Sequence, residues 1–316
     1  MRKELGQLSL ADALVARRGK SGRELARIGG LLDWSGVEAE LAGLRAAAEG
    51  RPGYPPALMF RALLLAQWHG LSDPELEAAL EDKLSFRAFL GLALDDAVPD
   101  ETTLCRFRNE LVRRGLCERL FAEVNRQLEA QGLMLKRGTL VDASLVAADA
   151  DVRKGPDGRK RTSDPEAGFC QARGKPFYGY KMHVAVDAGS GLVRRALATP
   201  AHVHDSVPIE QLVLGDEAAV LADKAYDTGP ARAAIVHKGA LDLVMMQARR
   251  GRPLQAWQQA LNAKLKPVRA GVGRTFGLLK RSYGWRRARY RGRMKVHGHL
   301  QLACAAANLR RALVLL

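Results

Sequence analysis

From Lys136 to Val244 the chain is written in short apolar runs separated by turn residues, whereas both flanks space their apolar residues as helices do. This change of period restricts the fold more than any other feature. A period of two suits half-buried strands and a period near 3.6 suits helices, so neither an all-helical nor an all-β architecture fits the whole chain. The runs are "GTLVDASLVAA", then "PFYGYKMHVAVDA" and "GLVRRALATPA" on either side of "GSG", then "AAVLADKAY" and "LDLVMMQ". The pair around "GSG" reads as a hairpin. "DSVPIEQLVL" and "TGPARAAIVHKG" read as helices, and a long helical stretch begins after Pro253 and runs towards Tyr283. Strand, hairpin, helix, strand, helix, strand and long helix predict a mixed α/β sheet flanked by helices.

The first 137 residues predict an all-helical unit. "PPALMFRALLLAQWHG" opens with prolines, which suit a first helical turn, and carries a broad apolar stripe. "SDPELEAALEDKLSFRAFLGL" starts at Ser72, an N-cap type, followed by a proline and early acids that complement the positive helix end. "PDETTLCRFRNELVRRG" repeats that logic and stops at Gly115. Short helices joined by brief turns allow a helix-turn-helix DNA-binding module, and equally a dimerisation scaffold.

Charge is segregated along the chain. Residues 1–242 carry 33 Lys and Arg against 34 Asp and Glu; residues 243–316 carry 17 Lys and Arg and no acid. The net charge of +16 therefore resides wholly in the last 74 residues. That segment also has aromatic and apolar residues at helical spacing, so it folds, and a folded one-sign surface is the electrostatic footprint of a nucleic-acid face. Arg274, Lys280, Arg281, Arg286, Arg287, Arg289, Arg291, Arg293 and Lys295 alternate there with Phe276, Tyr283, Trp285 and Tyr290. Arginine suits bidentate phosphate contacts and aromatics can stack on unpaired bases, but Phe276 and Trp285 read better as core. The loop "RKGPDGRKR", inside a basic stretch near 150–175, reads as a flexible DNA-tracking insert. Scattered Cys105, Cys117, Cys170 and Cys304 form no zinc pattern and point to a reducing compartment, and no apolar run is long enough for a membrane span.

Two carboxylates interrupt the apolar runs: Asp142 within "LVDAS" and Asp223 at the end of "VLADKAY". Charges are rarely buried without a partner or a metal. Each alone reads as a strand-end turn cap. On adjacent strands, the two would hold a Mg²⁺, a hard ion that takes oxygen ligands and keeps several waters. Such a site suits phosphoryl transfer. Lys181 and His183 in "YGYKMH", and His202 and His204 in "HVHDS", flank these acids or serve packing.

These motifs together resemble, over nearly the full length, bacterial DDE transposases of the insertion-sequence-5 group. The N-terminal "PPALMFRALLLAQWHGLSD" to "PDETTLCRFR" resembles that group's helical domain. "LVDASLVAA" carries its first acid onto Asp142, and "VLADKAYD" its second onto Asp223. "DPEA", "GKPFYGYKMHVAVD" and "HVHDS" resemble the segment between them. The resemblance implies an RNase H-like mixed sheet behind an all-helical DNA-binding or dimerisation domain. The expected division is 1–137 helical, 138–296 catalytic with the basic insert, and 297–316 a C-terminal helix. It further implies Mg²⁺ (or Mn²⁺), double-stranded DNA as element ends and target, a homodimer on that DNA, and a cytoplasmic, nucleoid-associated bacterial location.

The third motif departs from the family at its centre. Relatives have Arg, three residues, Glu, six residues and Lys; here Arg269 and Lys280 stand at those offsets and Gly273 replaces Glu. Within one helix the three would lie near one face, with Arg269 and Lys280 on DNA phosphates beside the metals. No acid lies downstream of Asp242. Asp205 and Asp227 upstream could substitute, or be an N-cap and a turn residue. The expectation is a transposase that binds terminal inverted repeats but cuts and joins poorly as written. The alternative is a non-catalytic, transposase-derived DNA-binding protein or repressor.

Overall fold

The computed structural model describes residues 20–44, 53–154, 160–172 and 174–316. Their contacts divide into two units: Met1–Ala130 with Ala305–Leu316, and Gln131–Cys304.

The first unit is helical: α1 Lys20–Gly29, α2 Trp34–Leu41, α3 Pro56–His69, α4 Asp73–Asp82, α5 Leu84–Leu90, α6 Glu101–Arg113 and α7 Leu116–Ala130. α3 is buried nearly all round, from Ala57 to Phe60 and from Ala62 to Trp68. The apolar stripe expected there is thus the central helix of its unit. Ser72 and Glu75 form a reciprocal capping box at the start of α4. The stretch read as one helix after Ser72 divides at Lys83, whose extended backbone (φ −102°, ψ 105°) ends α4 and starts α5. The break lets Phe86 and Phe89 turn inward.

The second unit is built on a sheet. Its strands are β1 Thr139–Ala147, β4 Gly168–Ala172, β5 Lys175–Asp187, β6 Val193–Pro200, β7 Ala219–Ala222 and β8 Leu241–Val244. The order is β4-β5-β1-β7-β8, with β6 also on β5. β5 runs antiparallel to β1 and β6, while β7 and β8 continue parallel to β1. Helices α8 Ile209–Leu212 and α9 Gly229–His237 pack with Val141, Val220, Ala222 and Val244 in one core. This is the mixed α/β sheet flanked by helices, with a helical N-terminal region, that the change of period predicts.

Three local readings are corrected. The ends of the "RKGPDGRKR" segment are not a free loop: β2 Val152–Lys154 pairs with β3 Lys160–Thr162, and residues 155–159 between them lie outside the described residues. β4, inside the stretch read as polar insert, pairs along β5. The long helix after Pro253 is two helices, α10 Ala256–Arg269 and α11 Val272–Ser282. Pro267 removes a donor near the end of α10. Across the joint, Gly271, Gly273 and Arg274 donate to carbonyls three residues back, a tighter turn than the α-helix. The last helix, α12, spans Arg293–Leu315.

Candidate active site

Strand register brings the two aspartates together. β1 and β7 pair in parallel as Leu140 with Leu221 and Val141 with Ala222. One residue further on, Asp142 and Asp223 stand opposite each other as the pairing ends. Parallel neighbours in register share a face, so both carboxylates leave the sheet on the same side. Alternation puts Val141 into the core and turns Leu140 and Asp142 to the face where α11 lies against β1. Asp223 also accepts from Ala225 N–H and caps the short 3₁₀ turn Lys224–Tyr226. That contact is the turn-capping role a lone aspartate would have, and it leaves its second oxygen available.

Arg269, at the end of α10, lies against both acids. Its guanidinium is 3.4 Å from Asp142 Oδ2 and 3.6 Å from Asp223 Oδ2, and its buried Nη1 has no hydrogen-bond partner. Burial pushes the Asp142 carboxyl up to about 6; Arg269 and the Ala143 N–H pull the other way without cancelling it. The charges of Asp223 and Asp205 add to the upward push. The site is therefore short of positive charge even with a guanidinium in it.

That shortage, with two hard oxygen donors where the pairing of β1 with β7 ends, fits a divalent cation held by Asp142 and Asp223. Among the described residues no group of three or more His, Cys, Asp or Glu is arranged to hold a metal. Gly273 is exposed in the first turn of α11, and a side chain there would meet nothing within 4 Å.

Several neighbours carried weak or no sequence signal. Lys181 Nζ is 2.7 Å from Asp205 and donates to Val203 O, which fixes Asp205 near the pair. His183 is fully buried, bonds Thr199 Oγ1 through Nε2, and is held down to about 4 by burial. The Tyr226 hydroxyl is buried without a hydrogen-bond partner, and the charges of Asp142, Asp205 and Asp223 all raise its pKa beyond the effect of burial. Its one sequence clue was its place in "VLADKAYD". Asp227 is engaged elsewhere, by Arg232 and Gln247 N–H. His204 contacts Ser206, and His202 packs on Gly168.

The basic residues fall into two groups. Arg274, Arg281, Arg286, Arg287, Arg289 and Arg291 are exposed, as are Arg293 and Lys295. Lys280 is partly buried, and its pKa is lowered by burial and by Arg286. The arginine loop 286–293 is held by its backbone: Arg286 O and Ala288 N–H bond the end of β1 at Ala147, and Asp164 and Glu166 accept from Gly292 and Arg293 N–H. Asp164, buried, also accepts from the Tyr180 hydroxyl. Asp149 pairs with Arg287 at 2.9 Å. Phe276 and Trp285 are buried, Trp285 stacking on His299, and Tyr290 meets the same ring edge-on.

Among the described residues no helix is long and apolar enough to cross a membrane. Residues 134–309 match the family described as "Transposase DDE domain", and residues 13–110 match "Transposase domain (DUF772)". A solved structure, the piggyBac transposase synaptic complex with hairpin DNA, is similar with a TM-score of 0.39 and 12% identity, over 96% of this chain and 74% of that one.

Proposed function

The chain belongs to the transposase DDE-domain family, and on that premise we propose that it is an insertion-sequence transposase of the insertion-sequence-5 group, disabled at one ligand. The observation that carries this reading is the strand register that sets Asp142 beside Asp223 in the middle of the sheet, with no third acid among the described residues grouped to hold a metal with them. The sheet, with three antiparallel strands followed by two parallel to the first, supports an RNase H-like core.

In this reading Asp142 and Asp223 hold one Mg²⁺, or Mn²⁺ in its place. When bound, the ion supplies Lewis-acid activation for phosphodiester cleavage and strand transfer. The chain's own residues do the rest. Arg269 and Lys280 neutralise phosphate beside the acids. The exposed Arg274, Arg281, Arg286, Arg287, Arg289 and Arg291, with Tyr290, hold double-stranded DNA at terminal inverted repeats. Residues 1–137 touch DNA or pair two protomers, residues 138–296 carry the chemistry, and 297–316 form the closing helix. The protein works as a homodimer on DNA in the bacterial cytoplasm, at the nucleoid.

Gly273 has no structural task, since its backbone is not in the left-handed region and its surroundings are open. It stands where relatives carry the third acid, so DNA binding outlasts efficient cutting. The same observation favours a second reading, a non-catalytic DNA-binding protein derived from a transposase. Labelled element-end duplex, incubated with Mg²⁺ or Mn²⁺ and either the native chain or Gly273→Glu, separates them on a denaturing gel. The first reading expects cutting and joining from Gly273→Glu alone, raised on the order of 10²-fold or more over the native chain. Equal activity from both would assign the third ligand elsewhere, and binding without cutting by either would support the second.

A further inference from the structure

The guanidinium of Arg269 stands where the metal reading needs a cation. It lies 3.4 Å from Asp142 and 3.6 Å from Asp223, spanning the two acids rather than pairing with one. Asp142 lies within β1 and Asp223 just past the end of β7, and Arg269 reaches both from the last residue of α10. Its position is enforced by the chain around it. The tightened turn at Ala270–Gly271 brings the joint down onto β1, where even a Cβ on Gly271 would come within 3.1 Å of Leu140 Cδ1. The partly exposed guanidinium, whose buried Nη1 has no hydrogen-bond partner, is not fully satisfied by the two acids. It retains capacity for another anionic oxygen.

We infer that Arg269 is a resident cation of the carboxylate pair, which leaves the acids when a divalent ion binds and passes its guanidinium to a DNA phosphate. The inference rests on the proposed metal site and adds its regulation. Two cations cannot share two carboxylates at these distances without mutual repulsion, so Arg269 weakens metal binding in the DNA-free protein. A phosphate beside the site offers the guanidinium a bidentate alternative. DNA and metal then bind with positive coupling, each drawing the arginine in the direction that favours the other. The free protein is thereby kept from charging its site with metal before DNA is in place. A pair of carboxylates is a setting in which such competition has a large effect, because a single arginine offsets about half of its charge.

The test is a MnCl₂ titration of the full chain at pH 8, followed by the electron paramagnetic resonance signal of free Mn²⁺, with and without a DNA duplex. Native protein, Arg269→Gln, Arg269→Lys, Asp142→Asn and Asp223→Asn are compared. Without DNA, Arg269→Gln should bind Mn²⁺ about tenfold or more tightly than the native chain. Arg269→Lys, which keeps the charge on a stem that cannot span both acids, should fall between them. Duplex should tighten Mn²⁺ binding more in the native chain than in Arg269→Gln. Should Arg269→Gln fail to fold, the Lys variant alone decides, since its affinity must exceed the native value. Equal or weaker binding by the Arg269 variants, with the Asp variants impaired, overturns the inference and leaves the metal site standing. Mn²⁺ affinity that ignores Asp142 and Asp223 overturns both.

Discussion

The central strands and the helix joint packed on them hold their candidate site residues in different ways. Asp142 is fixed by the ladder: a shift of one residue in β1 would send it into the Val141 core and expose that core's apolar partners. Arg269 is fixed nearly as firmly, by a turn that must pass close to Leu140. Gly273, four residues further on, is fixed by nothing, because its Cβ direction opens on space. A position whose side chain contacts only a ligand can change without disturbing the fold. Selection on folding then protects the strand positions and leaves the helix position to selection on chemistry alone. On the proposed reading, this accounts for a third motif that keeps its flanks and lacks its centre.

The two glycines of this joint provide the largest test of that contrast. Gly271→Leu forces a side chain against Leu140 Cδ1 and Val268 O, each already 3.1 Å from the first added carbon, and should cost about 1–3 kcal/mol as overpacking. Gly273→Ala should be neutral or stabilising by up to about 1 kcal/mol, since it replaces an exposed helical glycine. Urea unfolding of both variants measures the difference. Equal destabilisation would mean that Gly273 has a structural role, and the reading of it as a lost ligand would lose its physical basis.

How much of this could be read from the chain follows from the same contrast. Asp142 and Asp223 were legible because a charge inside an apolar run conflicts with burial, and the conflict needs no third dimension to be seen. Gly273 was legible through its offsets from Arg269 and Lys280. The arginine's contact with both acids was not, because it depends on how α10 ends: treating residues 269–280 as one continuous helix hides the tightened turn at Ala270–Gly271. Pro267 and the glycines were the available signal for that break. Lys181 and Asp205 are both candidates in the sequence, but their pairing, like Tyr226, is not legible there for another reason: strand and turn residues become site neighbours only when β5 and the loop after β6 are placed. β4 and the β2–β3 pair were missed because polar strands lack the apolar alternation that reveals the others. In the helical unit the break at Lys83 was hidden within an unbroken apolar pattern.

A charge held against its burial should also show in stability. Burial pushes the Asp142 carboxyl up to about 6 in the folded protein, above the usual carboxylate range near 4. The folded state therefore binds the extra proton between these values while the unfolded state does not, so stability falls as pH rises from about 4 to 6 and stays lower above. In metal-free protein Asp142→Asn should remove this loss. At pH 8 the variant should be more stable than the native chain by up to about 3 kcal/mol, and the advantage should vanish near pH 4. Thermal melts across that range in a chelator check the sign. A destabilised Asp142→Asn at pH 8 would show that Arg269 overcompensates the burial, which would place this carboxylate with the structural ion pairs and not with the site.

The smallest effect concerns the exposed arginines, and it tests the other side of the comparison: side chains on the surface of the basic loop. Arg286 and Arg289 are exposed, while the loop that bears them is held by backbone bonds to Ala147, Asp164 and Glu166. Truncating the Arg286 side chain should therefore leave the loop in place and the melting temperature nearly unchanged. If each contacts one phosphate, Arg286→Gln and Arg289→Gln should each lower the slope of log affinity against log salt by about 1 in magnitude, irrespective of DNA sequence. The slope is the informative quantity, because a variant that merely distorted the loop would weaken binding without removing a defined number of released ions. Losses confined to one sequence would instead assign these arginines to base edges, where bidentate contacts discriminate. An unchanged slope in both would move the DNA face off this loop, and the backbone clamp by Asp164 and Glu166 would then serve the fold alone.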